Sequence, residues 1–226
     1  MEIDLNKKLN LIQGDCLEVL KQLPDNCVDV VIIDPPYGDN SSYGRMQKEI
    51  LNNENPLLNC QVLPLLYEKL KDNTTLYNFT NWKHYPFLVN FIQNYTNFKI
   101  NHLLVWEKGN IGMGYSFRNK FELILVLEKG RGMFNKRDFA DVIKTDVILH
   151  NDETHPHTKP NQILTKLVEH SSNINDLVLD CFAGSGSTGV ASLKLNRRFI
   201  GIELDKAYFD LANKNCTAQA EQERLW

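Results

Sequence analysis

Residues 30–38 read Val-Val-Ile-Ile-Asp-Pro-Pro-Tyr-Gly, and this stretch limits the fold more than any other. A run of β-branched residues with no polar break suits a strand buried on both faces, as in a parallel sheet. Prolines cannot continue a central strand, so the strand must stop at Asp34. A residue that precedes proline is held extended, which stiffens Asp34 and Pro35 together. The outcome is a carboxylate and a Tyr ring on a rigid turn at the carboxyl end of a buried strand. In open α/β sheets ligands bind at that end. The motif is short, and an ordinary strand-closing turn would look the same.

The chain on either side repeats the strand–helix alternation. Leu9–Ile12 reads as a strand that Gly14 and Asp15 end. Asp15 with Glu18 forms a capping-box pattern, and Leu17, Val19, Leu20 and Leu23 supply a helix face, so the plain role of Asp15 is a helix N-cap. Leu57–Leu70 is apolar at helical spacing, with a kink expected at Pro64. Thr74–Thr80 predicts a strand, Trp82–Asn94 a helix, His102–Trp106 and Phe121–Leu127 two more strands. Pro160 can open a helix whose apolar face is Ile163, Leu164, Leu167 and Val168. These signals predict one α/β domain over residues 1–226 around a mostly parallel sheet, with no internal repeat. Gly38–Pro56 is rich in Asn, Ser and Gly and has no periodicity. It reads as a flexible loop, either a flap over the Asp34 turn or a floppy insertion.

Composition narrows the function classes. A chain of 226 residues with 42% hydrophobic and 23% charged residues builds a globular core. No apolar run is long enough to span a bilayer. The acidic, mixed N-terminus is not a signal peptide, so a cytoplasmic location is expected. Cys16, Cys27, Cys60, Cys181 and Cys216 contain no Cys-x-x-Cys pair and read as reduced thiols, and no metal site is expected. The formal charge of −3 argues against a generally basic nucleic-acid coat but leaves room for a local patch. Residues 128–137 supply one, with Lys129, Arg131, Lys136 and Arg137 among glycines and Phe134 between them. Such a patch can meet phosphates, or it can be a solvated loop.

Near the C-terminus, Leu177–Asp180 is a buried strand that runs into Cys-Phe-Ala-Gly-Ser-Gly-Ser-Thr-Gly, a helix through Val190–Leu195, and the strand Phe199–Ile202 ending at Glu203. Glycines at the first turn of a βαβ unit let a ligand approach the backbone. An acidic residue at the end of the second strand can accept both ribose hydroxyls. Taken literally, Gly184, Gly186 and Gly189 fit the dinucleotide pattern and predict a nicotinamide-dependent oxidoreductase. The unit lies too close to the C-terminus for a second mononucleotide half, so the sheet must be permuted. A turn that begins Asp-x-Phe-x-Gly-x-Gly is nearer to the S-adenosylmethionine pattern.

Taken together, these residues resemble the amino-methyltransferases that act on adenine N6 or cytosine N4 of DNA, within the β-ordered group whose catalytic motif precedes the cofactor motif. The likeness covers nearly the whole chain. Asp34-Pro35-Pro36-Tyr37 matches the catalytic motif, Asp180 through Gly186 the cofactor loop, and Gly14-Asp15 the position whose carboxylate contacts the cofactor's adenine. His155–Pro160 resembles the segment before the cofactor-binding helix, although His157-Thr158 stands where the family more often has Thr-Gln. The resemblance implies an α/β, Rossmann-like sheet of seven strands with permuted motif order. It implies S-adenosylmethionine held by Asp15, Cys16, Asp34, Thr158, Lys159, Asp180, Phe182, Gly184, Ser185, Gly186, Thr188 and Glu203. It also implies a short target-recognition segment over 128–157, a double-stranded DNA substrate, and room for a homodimer and a cognate restriction endonuclease.

The chemistry follows from the target. An exocyclic amine is a poor nucleophile because its lone pair is delocalised into the ring. Asp34 and the Pro35 carbonyl could accept both amino protons, and a carboxylate stabilises the charge that appears on nitrogen. The base must leave the duplex stack, and Tyr37 would stack on it. Asp rather than Ser at the first motif position goes mostly with adenine in the resembling family. Adenine N6 is therefore the expected target, with cytosine N4 the alternative and an oxidoreductase or a silent DNA-binding relative behind both.

Overall fold

Strand β2 (Val28–Ile33) is buried along its length except at Asp29, as its β-branched run requires. Asp29 is put to use there: its carboxylate accepts from the Lys71 ammonium at 2.6 Å and from the Leu177 N–H at 2.8 Å. The structure is a computed structural model that describes residues 3–36, 57–109, 111, 116–136, 138–145 and 161–222. The expected Gly38–Pro56 loop, Tyr37, Arg137 and the segment from His155 to Pro160 lie outside the described residues.

In chain order the elements are β1 (Leu9–Gln13), α1 (Cys16–Leu20), β2, α2 (Leu58–Lys69), β3 (Leu70–Thr80), α3 (Tyr85–Tyr95), β4 (Lys99–Glu107), β5 (Phe121–Lys129) and β6 (Val142–Lys144). They are followed by α4 (Asn161–Ser171), β7 (Leu177–Asp180), α5 (Ser187–Lys194), β8 (Arg198–Glu203) and α6 (Lys206–Gln222). The strands among the described residues join one eight-stranded sheet in the order β1-β8-β7-β2-β3-β5-β4-β6. Strand β5 runs antiparallel to both its neighbours, β3 and β4, and every other pairing is parallel. The sheet is thus the expected α/β one with a strand more. The addition is β6, an edge strand of 3 residues, too short to show alternation in the sequence. Its end is pinned where the Trp106 indole donates to the Thr145 hydroxyl at 2.9 Å.

Helices cover both faces. Residues of α1, α2 and α3 pack with Val31, Ile33 and Leu76 on one side. Residues of α4 and α5 pack with Val30, Ile32, Tyr77 and Phe199 on the other, and α6 lies against α5. Helix α2 runs through Pro64 to Lys69. Helix α3 starts later than its apolar spacing suggests, because the Asn81 side chain accepts from the Lys83 and His84 N–H groups and holds a turn first.

The connections set the site. From β7 the chain passes through α5 to β8 on one side, and from β2 through α2 to β3 on the other. The winding direction therefore reverses between β7 and β2, and a crevice opens at the carboxyl ends of those two strands.

Candidate active site

Asp34 and Asp180 flank this crevice. Strand β7 ends at Asp180, which is 4% exposed. Its Oδ1 accepts from the Phe182 N–H at 2.9 Å. Burial pushes the Asp180 carboxyl up to about 7, against the opposing pull of the Thr188 hydroxyl and the Phe182 N–H; the charges of Asp34 and Glu203 push it further up. Asp34 is half-buried at the end of β2, with Pro35 buried and Pro36 half-buried behind it.

The turn from β7 into α5 needs its glycines. Gly184 and Gly186 have φ of +53° and +84°, the left-handed region. A Cβ on Gly186 would lie 2.9 Å from Cys216 Sγ and 3.0 Å from Ala212 Cα, so the turn can press on α6 only without a side chain. Glu203, ending β8, reaches across this turn. Its Oε2 accepts from the Gly184 N–H at 2.8 Å and its Oε1 from the Asp205 N–H at 2.9 Å. Burial raises the Glu203 carboxyl as well. Ser185 is half-buried, its hydroxyl 3.2 Å from that of Ser187 and its carbonyl accepting from Asn215 at 2.9 Å. Phe182 is half-buried against the α1–α2 side of the core.

Strand β1 completes the row. Gln13 pairs with Glu203, and the Gly14 N–H donates to the Glu203 carbonyl at 3.0 Å, which brings Asp15 beside the end of β8. Asp15 caps α1, accepting from the Leu17 N–H at 2.8 Å, and it remains exposed. Cys16 behaves differently from its neighbour: its side chain is buried and its thiol meets that of Cys181. Only its backbone is left to face a ligand. Asp15, Asp34, Asp180, Phe182, Gly184, Ser185, Gly186, Thr188 and Glu203 are thus brought to one rim. Thr158, Lys159 and Tyr37 lie outside the described residues.

The basic segment is not on this rim. Lys129 pairs with Thr74 near the start of β3, whereas Ile33 pairs with Asn78 toward its end, so the segment emerges at the amino end of the parallel strands. Lys129 is 8% exposed, and its ammonium donates to Asn26 Oδ1 at 2.7 Å and to the Leu70 carbonyl at 2.8 Å. It also lies 5.0 Å from the centre of the Tyr67 ring. This corrects the expectation for Lys129: its ammonium is buried, and it lies at the end of the sheet away from Asp34. Lys136 pairs with Glu169 at 2.8 Å, and the Arg131 N–H bonds Asn73 at 3.1 Å, at the same far end.

One pair of residues here carries no sequence signal. Asn78 is fully buried beside Ile33, and its amide exchanges hydrogen bonds with Asn59 at 2.8 and 3.2 Å. The pair ties the first turn of α2 to the end of β3, beside the strand that leads into Asp34. Asparagines 19 residues apart carry no periodicity that would reveal the contact.

Chemically, the rim joins neighbouring carboxylates, one of them, Asp180, raised by burial first and by the charges of Asp34 and Glu203 after it, with a glycine turn where a ligand can touch backbone. A cationic ligand relieves the repulsion among these carboxylates, and a diol finds the Glu203 oxygens. The N6/N4 family model described as DNA methylase matches residues 28–214. The putative methylase YubD of Escherichia coli (strain K12) is 33% identical over 87% of this chain and 85% of its own length. The type II methyltransferase M2.MboI of Moraxella bovis is 27% identical over 92% of this chain and 88% of its own. The crystal structure of an M1.HpyAVI–SAM complex superposes with a TM-score of 0.69 at 26% identity, over 91% of this chain and 98% of that one.

Proposed function

The chain belongs to the N6/N4 family of DNA methylases, and from that premise we propose that it methylates the N6 amine of adenine in double-stranded DNA, within a short recognition sequence. The observation that carries the proposal is the placement of Asp34 beside Asp180 at the reversal point of the sheet. S-adenosylmethionine, the cofactor in this reading, supplies a methyl group on a sulfonium centre. The rim suits such a group, because a cation offsets the mutual repulsion of Asp34, Asp180 and Glu203. Glu203 holds the ribose hydroxyls, Asp15 the adenine end, and the turn from Phe182 to Gly186, with Thr188, lines the remainder; Thr158 and Lys159 complete this set.

Asp34 and the Pro35 carbonyl then accept the two protons of the target amine. That hydrogen bonding would favour a tetrahedral nitrogen, whose lone pair would bond the methyl carbon in line with the breaking S–C bond, the bonding pair leaving with sulfur as a neutral thioether. As positive charge develops on nitrogen, the Asp34 carboxylate stabilises it and is placed to take the proton. The rigid Pro35-Pro36 turn fixes the approach, which supplies much of the rate. The target base is reached by rotation out of the stack, with Tyr37 against its face.

Adenine is favoured by Asp at the first position of the turn; cytosine N4 is the second reading, since its amine also sits beside a ring nitrogen. Nucleoside mass spectrometry of duplex DNA treated with the protein and S-adenosylmethionine tests the choice. N6-methyladenine is the expected product. N4-methylcytosine in its place would overturn the base assignment and keep the family chemistry.

A further inference from the structure

The far-end position of Lys129 and Arg131 leaves open what holds the duplex while a base is presented to Asp34. A different corner of the molecule has the right placement. Strands β4 and β6 run parallel to β3, so they end at the same rim as β2. Glu107, Phe121 and Lys144 stand level with one another there, two residues beyond the level of Leu123 and Thr80. From β2 to β6 the rim crosses four strand spacings, about 20 Å at ~4.8 Å each.

This corner carries Lys108, Lys120 and Lys144 against the carboxylates Glu107 and Glu122, and Arg118, whose guanidinium donates to the Ile111 carbonyl at 3.5 Å, precedes β5 by three residues; the surplus is two positive charges in a chain whose formal charge is −3. Glu107 gathers two of the ammonium groups, Lys120 at 2.7 Å and Lys144 at 3.3 Å. Glu122 holds Lys108 at 2.5 Å, and that ammonium also lies 5.5 Å from the centre of the Trp106 ring. Phe117 is 90% exposed and Phe121 47%, so cations and rings are interleaved on one accessible surface.

We infer that the ends of β4, β5 and β6 form the phosphate-contacting surface for duplex DNA, with Arg118, Lys120 and Lys144 as its contacts. The inference rests on the DNA-methylase reading and extends it. A duplex carries one charge per ~1.7 Å of axis with both strands counted, so about a dozen phosphates lie along a length equal to this rim, and those on the facing side are within its reach. The positive corner and the negative crevice then divide the work. Phosphates settle on β4–β6, and the neutral base, rotated out about the backbone to which it stays joined, reaches the carboxylates. Glu107 holds Lys120 and Lys144 side by side until phosphate oxygens replace it.

The test uses the full chain and a mixed-sequence duplex, with affinity measured over a series of salt concentrations. Arg118→Gln, Lys120→Gln and Lys144→Gln combined should weaken binding at least about tenfold and flatten the logarithmic salt slope by about 2.7, at ~0.9 for each of the three lost contacts. S-adenosylmethionine affinity should be unchanged. Arg131→Gln with Lys136→Gln should leave both affinity and slope as they are. Glu107→Gln alone, which only removes a competitor, should tighten binding, and it decides the matter if the triple variant does not fold. An unchanged slope in the triple variant, an equal loss in the far-end pair, or weaker binding by Glu107→Gln would overturn the inference. Failure of the wild-type protein to methylate any duplex would instead overturn the proposed function. The two failures are therefore distinct.

Discussion

The carboxyl ends of β1, β8 and β7 and the amino end of the parallel strands treat their carboxylates in different ways. At the carboxyl end, Asp15, Asp180 and Glu203 are held by backbone N–H groups of Leu17, Phe182, Gly184 and Asp205. At the amino end, Asp25 meets Lys69 at 2.5 Å, Asp29 meets Lys71 at 2.6 Å, and Asp72 meets Lys129 at 3.6 Å. The difference follows from the winding. Helices that follow parallel strands begin at the carboxyl end, where their first N–H groups lack partners and accept acidic neighbours. Around Asp15, Asp180 and Glu203 negative charge gathers on backbone N–H groups, available to a cationic ligand. At the amino end helices finish, and although the Leu177 N–H still reaches Asp29, ammonium groups of lysines supply the charge that meets Asp25, Asp29 and Asp72.

The largest effect that tests this contrast is at the crevice. Asp34→Ala should lower methyl transfer by 10²–10³-fold or more, roughly the scale of a lost transition-state partner, while S-adenosylmethionine still binds. Single-turnover transfer and calorimetry on one preparation check it. Loss of cofactor affinity in step with activity would assign Asp34 to the cofactor rather than to the amine.

Asp180 comes next. Its carboxyl titrates near 7 in the folded chain, against an ordinary 3.8. A raised acid means that its share of stability is complete below the ordinary value and is lost as pH rises through the folded one. Asp180→Asn removes that titration, so the cofactor-free variant should gain on the wild type from about pH 4 to pH 8, by on the order of a few kcal/mol. Urea midpoints at pH 5 and pH 8 give the comparison, and a gap that does not widen with pH would mean that the buried carboxylate is already compensated.

The smallest effect should come from the amino end. Lys129→Met keeps the stem against Tyr67 and removes the ammonium, leaving the Leu70 carbonyl and Asn26 without their donor. A loss of about 2–3 kcal/mol of stability is expected, with the DNA salt slope unchanged. A flattened slope would return Lys129 to the DNA surface and erase the contrast between the two ends.

Much of this was legible beforehand. Val30–Ile33 and the prolines located β2 and its turn, and strand, glycine turn, helix and acidic residue located the βαβ unit. The capping pattern located α1, where Leu17 does bond Asp15, although Glu18 turns to Lys21 at 2.8 Å instead of back to the cap. Each of these signals is local: it depends on neighbours within a turn or a strand. Strand β6 was not legible, because its 3 residues are held by β4 and by Trp106 rather than by their own propensity. The role of Lys129 was misread for the same reason. A lysine among glycines looks solvated, and nothing nearby in the sequence announces that Asn26 and Leu70, 103 and 59 residues away, meet its ammonium.

By itself the sequence determined which strands are buried on both faces, where the backbone must turn, and which acidic residues stand at strand ends. Those are matters of side-chain volume, proline geometry and glycine freedom. Only the tertiary structure decided which ends share a rim. Antiparallel β5 sends Lys129 and Arg131 to the side away from Asp34, while its start and the end of β6 bring Lys120 and Lys144 to the same side as Asp34. Strand direction is set by crossovers and by packing over the whole sheet, and no window of neighbouring residues contains it.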